Sequence, residues 1–263
     1  MDLGLEDKSV LVLASSKGLG KATACQFAAE GARVYLGSRS EEALKKTSKE
    51  IREETGNPNV AYSVCDIKVS DSVRQLVADA ASKHGPVDVL VNNAGGPPAG
   101  SFDDVDDDAW QHTFELNLLS FIRAIREVLP GMREKGGGHI LNFASSSIKQ
   151  PIDGLILSNT FRAGITGLSK SLSQELAADN ILINTIGPGR IGTDRVSHLD
   201  SVQAEKRGLP IEDVREEAEN NIPLGRYGKP EEFARIAVFL CSEANAYVTG
   251  QSLLVDGGLV KAL

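Results

Sequence analysis

Ser9-Val10-Leu11-Val12-Leu13-Ala14-Ser15-Ser16-Lys17-Gly18-Leu19-Gly20 opens with a continuous apolar run and ends in a glycine-bearing turn. A short run with no polar alternation reads as a strand buried on both faces, the kind found in parallel sheets. From Lys21 the pattern becomes helical, with Ala22, Cys25, Phe27, Ala28 and Ala29 toward the buried side and Gly31 at the stop. Strand, glycine turn and helix in that order make a phosphate cradle. Glycines let the backbone come close, and the free N–H groups and helix dipole attract a pyrophosphate. A plain strand–helix turn is the competing reading. The following strand, Arg33–Gly37, ends at Ser38 and Arg39 rather than at an acid. With Lys17 in the turn, two cations favour the 2′-phosphate of NADP(H), leaving NAD(H) as the alternative. Either cation also reads as an ordinary surface charge.

Outward from this unit the alternation continues. A charged helix over Glu41–Glu54 closes at Gly56-Asn57-Pro58, and the strand Val60–Val64 leads to a helix over Asp71–His84 that ends at Gly85-Pro86. The strands Val87–Val91 and His139–Phe143 flank one long helical stretch, Asp107–Met132. A helix near Leu157–Leu176, a strand Ile181–Thr185 and a last strand Ser252–Val255 complete the order. Such alternation predicts an α/β fold: one Rossmann-type, doubly wound parallel sheet with helices on both faces. Residues 1–263 read as a single domain. The exception is Asp194–Asn221, a highly charged insertion with Gly208-Leu209-Pro210 in its middle, which reads either as a substrate lid or as a solvated helical excursion.

Composition narrows the class. The chain has 263 residues, 41% apolar and 24% charged, enough for a sizeable core. A net charge of −8 argues against nucleic acid or an anionic membrane as partner. No apolar run reaches the roughly 18–20 residues of a membrane span. Met1–Lys8 has neither a basic region nor a long apolar stretch, so a secretory leader is not expected. The three cysteines, Cys25, Cys65 and Cys241, form no zinc or disulfide pattern, which suits a reducing cytoplasm.

With these elements in place the chain resembles the short-chain dehydrogenase/reductase family, most closely its 3-oxoacyl-[acyl-carrier-protein] reductase branch. The resemblance is carried by the glycine turn, by Asn92-Asn93-Ala94-Gly95, by Asn117 in Glu115-Leu116-Asn117-Leu118, and by Pro188-Gly189-Arg190-Ile191-Gly192-Thr193. Pro223-Leu224-Gly225-Arg226, Thr249-Gly250 and Val255-Asp256-Gly257-Gly258 complete it. It implies cofactor contacts at Ala14, Ser16, Lys17, Gly18, Leu19, Gly20, Ser38, Arg39, Asp66, Ile67, Asn93, Ala94, Gly95, Pro188, Gly189, Ile191 and Thr193. It also implies a catalytic set of asparagine, serine, tyrosine and lysine. Asn117 and Ser145 stand at the first two positions. Ser158 stands where the family has its tyrosine, and Arg162 where it has the lysine that also holds the nicotinamide ribose. None of the four tyrosines, Tyr35, Tyr62, Tyr227 and Tyr247, is followed one helical turn later by lysine. Leu13-Ala14 likewise replaces the family's Thr-Gly.

The replacement has a chemical weight. A phenol of pKa about 10 can be brought toward neutrality by a neighbouring cation, whereas a serine hydroxyl ionises far less readily and arginine does not shuttle protons at pH 7. Losing a placed general acid costs about 10²–10⁴ in rate. The expected protein is thus an NADP(H)-dependent oxidoreductase acting on a carbonyl, alcohol or acyl-thioester substrate, with an incomplete catalytic set and weak or atypical activity. Ser145 and Asn117 would polarise the substrate oxygen directly or through water, Arg162 would hold the ribose, and Ser158 or solvent would relay the proton. The rival is a dinucleotide-binding sensor or partner subunit without turnover. Relatives suggest a homo-oligomer, tetramer or dimer. Four further features are weighed. Gly95–Gly100 reads as a substrate wall or a plain loop, Asp103–Asp108 as a helix cap rather than a cation site, and His198 as a solvated residue or a substitute proton donor. Arg123 and Arg126 share one helix face and read as a steering patch for an acidic carrier protein or, as the resemblance favours, as part of a subunit interface.

Overall fold

The computed structural model describes residues 1–262. Within them the apolar runs form seven strands: β1 (Ser9–Leu13), β2 (Arg33–Ser38), β3 (Val60–Val64), β4 (Val89–Asn92), β5 (Gly138–Phe143), β6 (Ile181–Pro188) and β7 (Ser252–Val255). All pair in parallel, in the order β3-β2-β1-β4-β5-β6-β7. The connections are α1 (Gly18–Ala29), α2 (Glu41–Thr55), α3 (Ser70–His84), α4 (Asp107–Phe114), α5 (Ser120–Lys135), α6 (Ile156–Glu175), α7 (Asp194–Arg207), α8 (Ile211–Asn220) and α9 (Pro230–Leu240). This is the single-domain, doubly wound α/β architecture read from the alternation. Val10 pairs with Val34 on one side and Val89 on the other, so the strand order reverses beside β1. A crevice therefore opens at the carboxyl ends of β1 and β4, where ligands bind in sheets of this type.

Strand side chains alternate between faces, and each face has its own core. Val10, Val12, Val34 and Leu36 pack with Phe27 of α1 and Phe233 of α9, and the Phe143 and Phe233 rings meet edge to face at 4.9 Å. Leu11, Leu13 and Leu90 pack on the opposite face with Phe121 and Met132 of α5. Full burial of such a side chain contributes about 1.5–3 kcal/mol, so the sheet is held rigid from both sides.

Most element ends shift by one to three residues from the sequence reading, β4 for instance starting at Val89 rather than Val87, and three differences bear on the site. Helix α1 begins at Gly18 rather than Lys21, because Gly20 packs its backbone against the chain leaving β1, which outweighs the low helix propensity of glycine. The stretch expected as one helix from Asp107 is interrupted by a π-helical turn over Glu115–Leu119, where the Ser120 N–H reaches back to the Glu115 carbonyl. Strand β6 runs three residues further, to Pro188, because β7 continues to pair with it.

Two histidines set an acid limit on stability. His84 is buried, with Nε2 unpartnered and its ring edge-on to Tyr35, and His139 packs near Asn245. Burial pushes both below the usual histidine range. The unfolded chain then binds more protons than the native one below about pH 6.5, so stability falls as pH drops through that value. Melting temperature is expected to decline between neutral pH and pH 5, and His84→Gln with His139→Gln to flatten the decline. An unchanged slope in the double variant would remove the histidines as its cause.

Candidate active site

The crevice is a cleft of about 2240 Å³, larger than the roughly 300–1,000 Å³ of a small-ligand pocket and roomy enough for a dinucleotide beside a substrate. Its floor at one end is the turn after β1. Ala14 adopts φ +46, a left-handed conformation that strains a residue bearing a Cβ, at the position where the resemblance calls for glycine. Helix α1 follows with no side-chain cap and no acid in its first turn, so its free N–H groups and dipole suit a phosphate. Lys17, Gly18 and Leu19 line the cleft there. Gly20 does not. A Cβ on it would stand 2.6 Å from the Ala14 carbonyl oxygen and 2.8 Å from Asn93 Nδ2, so its part is close packing rather than contact. Asn93 Nδ2 donates to that same carbonyl at 3.2 Å, tying the end of β4 to the turn.

Ser16 Oγ and Ser38 Oγ lie 2.9 Å apart, and exposed Arg39 stands beside them with no acid at the end of β2. Lys17 is 3.5 Å from Asp194, a solvent-exposed pair that weakens its claim as a free cation, so Arg39 is the clearer one. Asp66, Ile67, Ala94, Gly95, Pro188, Gly189, Ile191 and Thr193 also line the cleft. The residues present fit an NADP-type dinucleotide: an uncapped helix start for the diphosphate, and hydroxyls with a guanidinium where a 2′-phosphate would lie.

At the other end, Ser145 follows β5 and its Oγ accepts from the Ser147 N–H at 3.1 Å. Ser158 and Arg162 stand one turn apart on α6, and both line the cleft with Ser145. Arg162 is 5% exposed and donates Nη1 to the Phe143 carbonyl at 2.7 Å. Burial, and then the nearby Arg195, push its guanidinium down to about 10. Asn117 is not on the cleft wall. It sits in the π-helical turn, 1% exposed, donating Nδ2 to the Gly95 carbonyl at 2.8 Å while its Oδ1 lacks a partner. The side chain thus ties the π-helical turn to the Gly95 loop, and of the two expected routes to a substrate oxygen this placement suits the one through water.

The charged insertion folds as α7 and α8 and roofs the cleft with Arg195, His198, Leu199 and Val202 of α7 and Val214 of α8. Its anchor is Asp200, 3% exposed, which pairs with Arg190 and accepts from the Tyr227 hydroxyl at 2.9 Å. Arg190 and Arg215 lie over the Tyr227 ring at 5.7 and 5.3 Å. Sequence reasoning missed this latch and missed the wall formed by Gln150–Leu155. That wall is clamped to α6 by Asn159, which accepts from Ile152 N–H and donates to Ile152 O. Gly100 joins the Gly95–Gly100 loop to it through hydrogen bonds with Gly154 and Ile156. The signals available were residue identities without periodicity, which do not reveal long-range pairing.

The remaining candidates separate. Asp106 caps α4 by accepting from Ala109 N–H at 2.9 Å, and Asp104 accepts from Ser101, so the acidic run serves helix starts. Arg123 donates to the Lys68 carbonyl of its own chain, while Arg126 is exposed. His198 is exposed on the cleft rim.

Comparison with known proteins fits this geometry. The family model described as enoyl-(acyl carrier protein) reductase matches residues 13–260. A 3-oxoacyl-[acyl-carrier-protein] reductase of Thermotoga maritima is 35% identical over 256 residues, 97% of this chain and 99% of the relative. The L-sorbose reductase of Gluconobacter frateurii, solved with NADPH and L-sorbose, superposes with a TM-score of 0.94 at 33% identity over all of both chains. An NADPH-bound short-chain oxidoreductase of Pseudomonas aeruginosa, described as containing an atypical catalytic centre, gives 0.89 at 29% identity, covering 98% of this chain and 99% of that one. A parallel sheet reversing beside β1, a glycine turn at that point and matches of this extent place the chain in the short-chain dehydrogenase/reductase family of oxidoreductases.

Proposed function

We propose that this protein is an NADP(H)-dependent carbonyl/alcohol oxidoreductase, related to 3-oxoacyl reductases, whose proton delivery does not use tyrosine. The observation that carries the reading is the two-ended cleft: an uncapped α1 with Ser16, Ser38 and Arg39 at one end, and Ser145, Ser158 and Arg162 at the other. The NADPH-bound relatives support the cofactor, and the relative with an atypical catalytic centre supports a changed site.

When bound, the nicotinamide supplies a hydride donor or acceptor at the reaction end. Ser145 presents its hydroxyl to the substrate oxygen, with its Oγ oriented by the Ser147 N–H. Arg162 is held by Phe143 O and offers its remaining N–H groups to the ribose and to charge developing on the substrate oxygen. Ser158 passes a proton between that oxygen and water, a slower route than a phenol in the same place. Asn117 fixes the Gly95 loop, and α7–α8 acts as a lid latched at Asp200. Serine at position 158 also favours a second reading, cofactor binding without turnover as a sensor or partner subunit.

Titration with NADPH and with NADH, followed by nicotinamide fluorescence, tests the cofactor assignment. NADPH is expected to bind with a dissociation constant of about micromolar order and more tightly than NADH. Failure to bind either would end the oxidoreductase reading. Bound NADPH that no ketone oxidises would leave the second reading in its place.

A further inference from the structure

Two guanidinium groups line the cleft, Arg162 and Arg195; Asp153 and Asp194 line it too, but neither is ion-paired with them among the described residues. Arg162 is buried, with a single hydrogen bond among the described residues, to Phe143 O, so most of its five N–H donors have no acceptor there. Arg195 of α7 is half-buried and donates Nη2 to the Pro97 carbonyl at 2.7 Å, its guanidinium lying along Gly96. Neither residue forms a salt bridge among the described residues. Both groups line the one cleft, and the like charge of Arg195 adds to burial in disfavouring the Arg162 cation. Buried charges are ordinarily paired, so this arrangement is costly unless something anionic enters.

Position separates that anion from the cofactor phosphates. The phosphate turn lies after β1, with Lys17 and Gly18. The arginine pair lies beyond it, at the ends of β4 and β5, where Arg195 holds the loop after β4 and Arg162 the last carbonyl of β5. Ser145 and Ser158 line the same end, and Leu199 and Val202 of α7 and Ile152 and Leu155 supply apolar walls.

We infer that Arg195 and Arg162 form a carboxylate-binding subsite, which makes the substrate a short oxo or hydroxy acid rather than a neutral ketone. The inference rests on the oxidoreductase reading for the word substrate, but the subsite stands on the arginine geometry alone. A planar carboxylate matches the guanidinium fork, and its charge relieves the repulsion between the two arginines. Arg195 rides on α7, so the acid also joins the roof of the cleft to its floor.

Calorimetric titration of the protein, with and without NADPH, tests this using acetoacetate and pyruvate against their neutral methyl esters. At least one acid is expected to bind about tenfold or more tightly than its ester, as charge-assisted hydrogen bonds imply. Arg195→Met is expected to remove that preference and leave NADPH affinity unchanged, and Arg195→Lys to restore part of it. Melting curves of both variants establish that α7 and α8 remain folded. Equal affinity for acid and ester, no binding of either acid, or an Arg195→Met variant that loses NADPH instead would overturn the subsite. Failure of the wild type to bind NADPH while it still prefers the acids would sink only the oxidoreductase reading.

Discussion

Ser158→Tyr combined with Arg162→Lys is expected to raise NADPH-dependent ketone reduction by about 10²–10⁴ over the wild type. Both positions are one turn apart on the cleft face of α6, opposite Ser145. A phenol at 158 would extend from a buried position toward the cleft that Ser158 lines. The ammonium at 162 would lower the phenol pKa from about 10 toward neutrality, where proton transfer to a nascent alkoxide is favourable. Neither change alone should suffice: Ser158→Tyr lacks the ammonium, and Arg162→Lys lacks the proton donor. The measurement is NADPH oxidation with ethyl acetoacetate and acetoacetate, with cofactor affinity determined in parallel. Unchanged turnover in a double variant that still binds NADPH would show that the missing tyrosine–lysine pair is not what limits the site, and would favour the sensor or partner reading.

Gly20→Val is expected to lower stability by about 1–3 kcal/mol and to weaken NADPH binding at least tenfold. The valine Cβ would lie 2.6 Å from the Ala14 carbonyl oxygen and 3.0 Å from Ser15 Cα, both backbone atoms that cannot move without shifting the turn. The same displacement would break the Asn93 hydrogen bond to Ala14 and disturb the start of α1. Gly167→Ala provides the contrast. That glycine is exposed on α6, and a Cβ there would meet nothing within 4 Å. Its replacement should stabilise by up to about 1 kcal/mol through helix propensity. Thermal melts and NADPH titration of both variants decide the matter, and wild-type behaviour of Gly20→Val would refute the close-packing account of the turn.

Several features were legible in the chain because they depend on local periodicity. The strand Ser9–Leu13, the helix–strand alternation and the cap at Asp106 follow from apolar spacing and short-range hydrogen bonding. Ser158 and Arg162 fall on a helix that the sequence already announces, and the fold brings both to the cleft wall. Other features depended on contacts between distant residues. Asn117 reads in sequence as a group that could reach the substrate, yet a π-helical turn carries it into the interior against Gly95. The charged stretch from Asp194 has no apolar stripe that would announce a buried role, yet Asp200 anchors it through Arg190 and Tyr227.

The sequence by itself determined the doubly wound sheet and the glycine turn after β1, since these rest on near neighbours in the chain. Only the tertiary structure decided that Gly20 packs rather than binds, that the insertion lines the cleft, and that Arg195 and Arg162 line it with no ion-pair partner among the described residues. The physical reason is that burial and charge pairing are properties of groups brought together from far apart in the chain, and no local pattern encodes them.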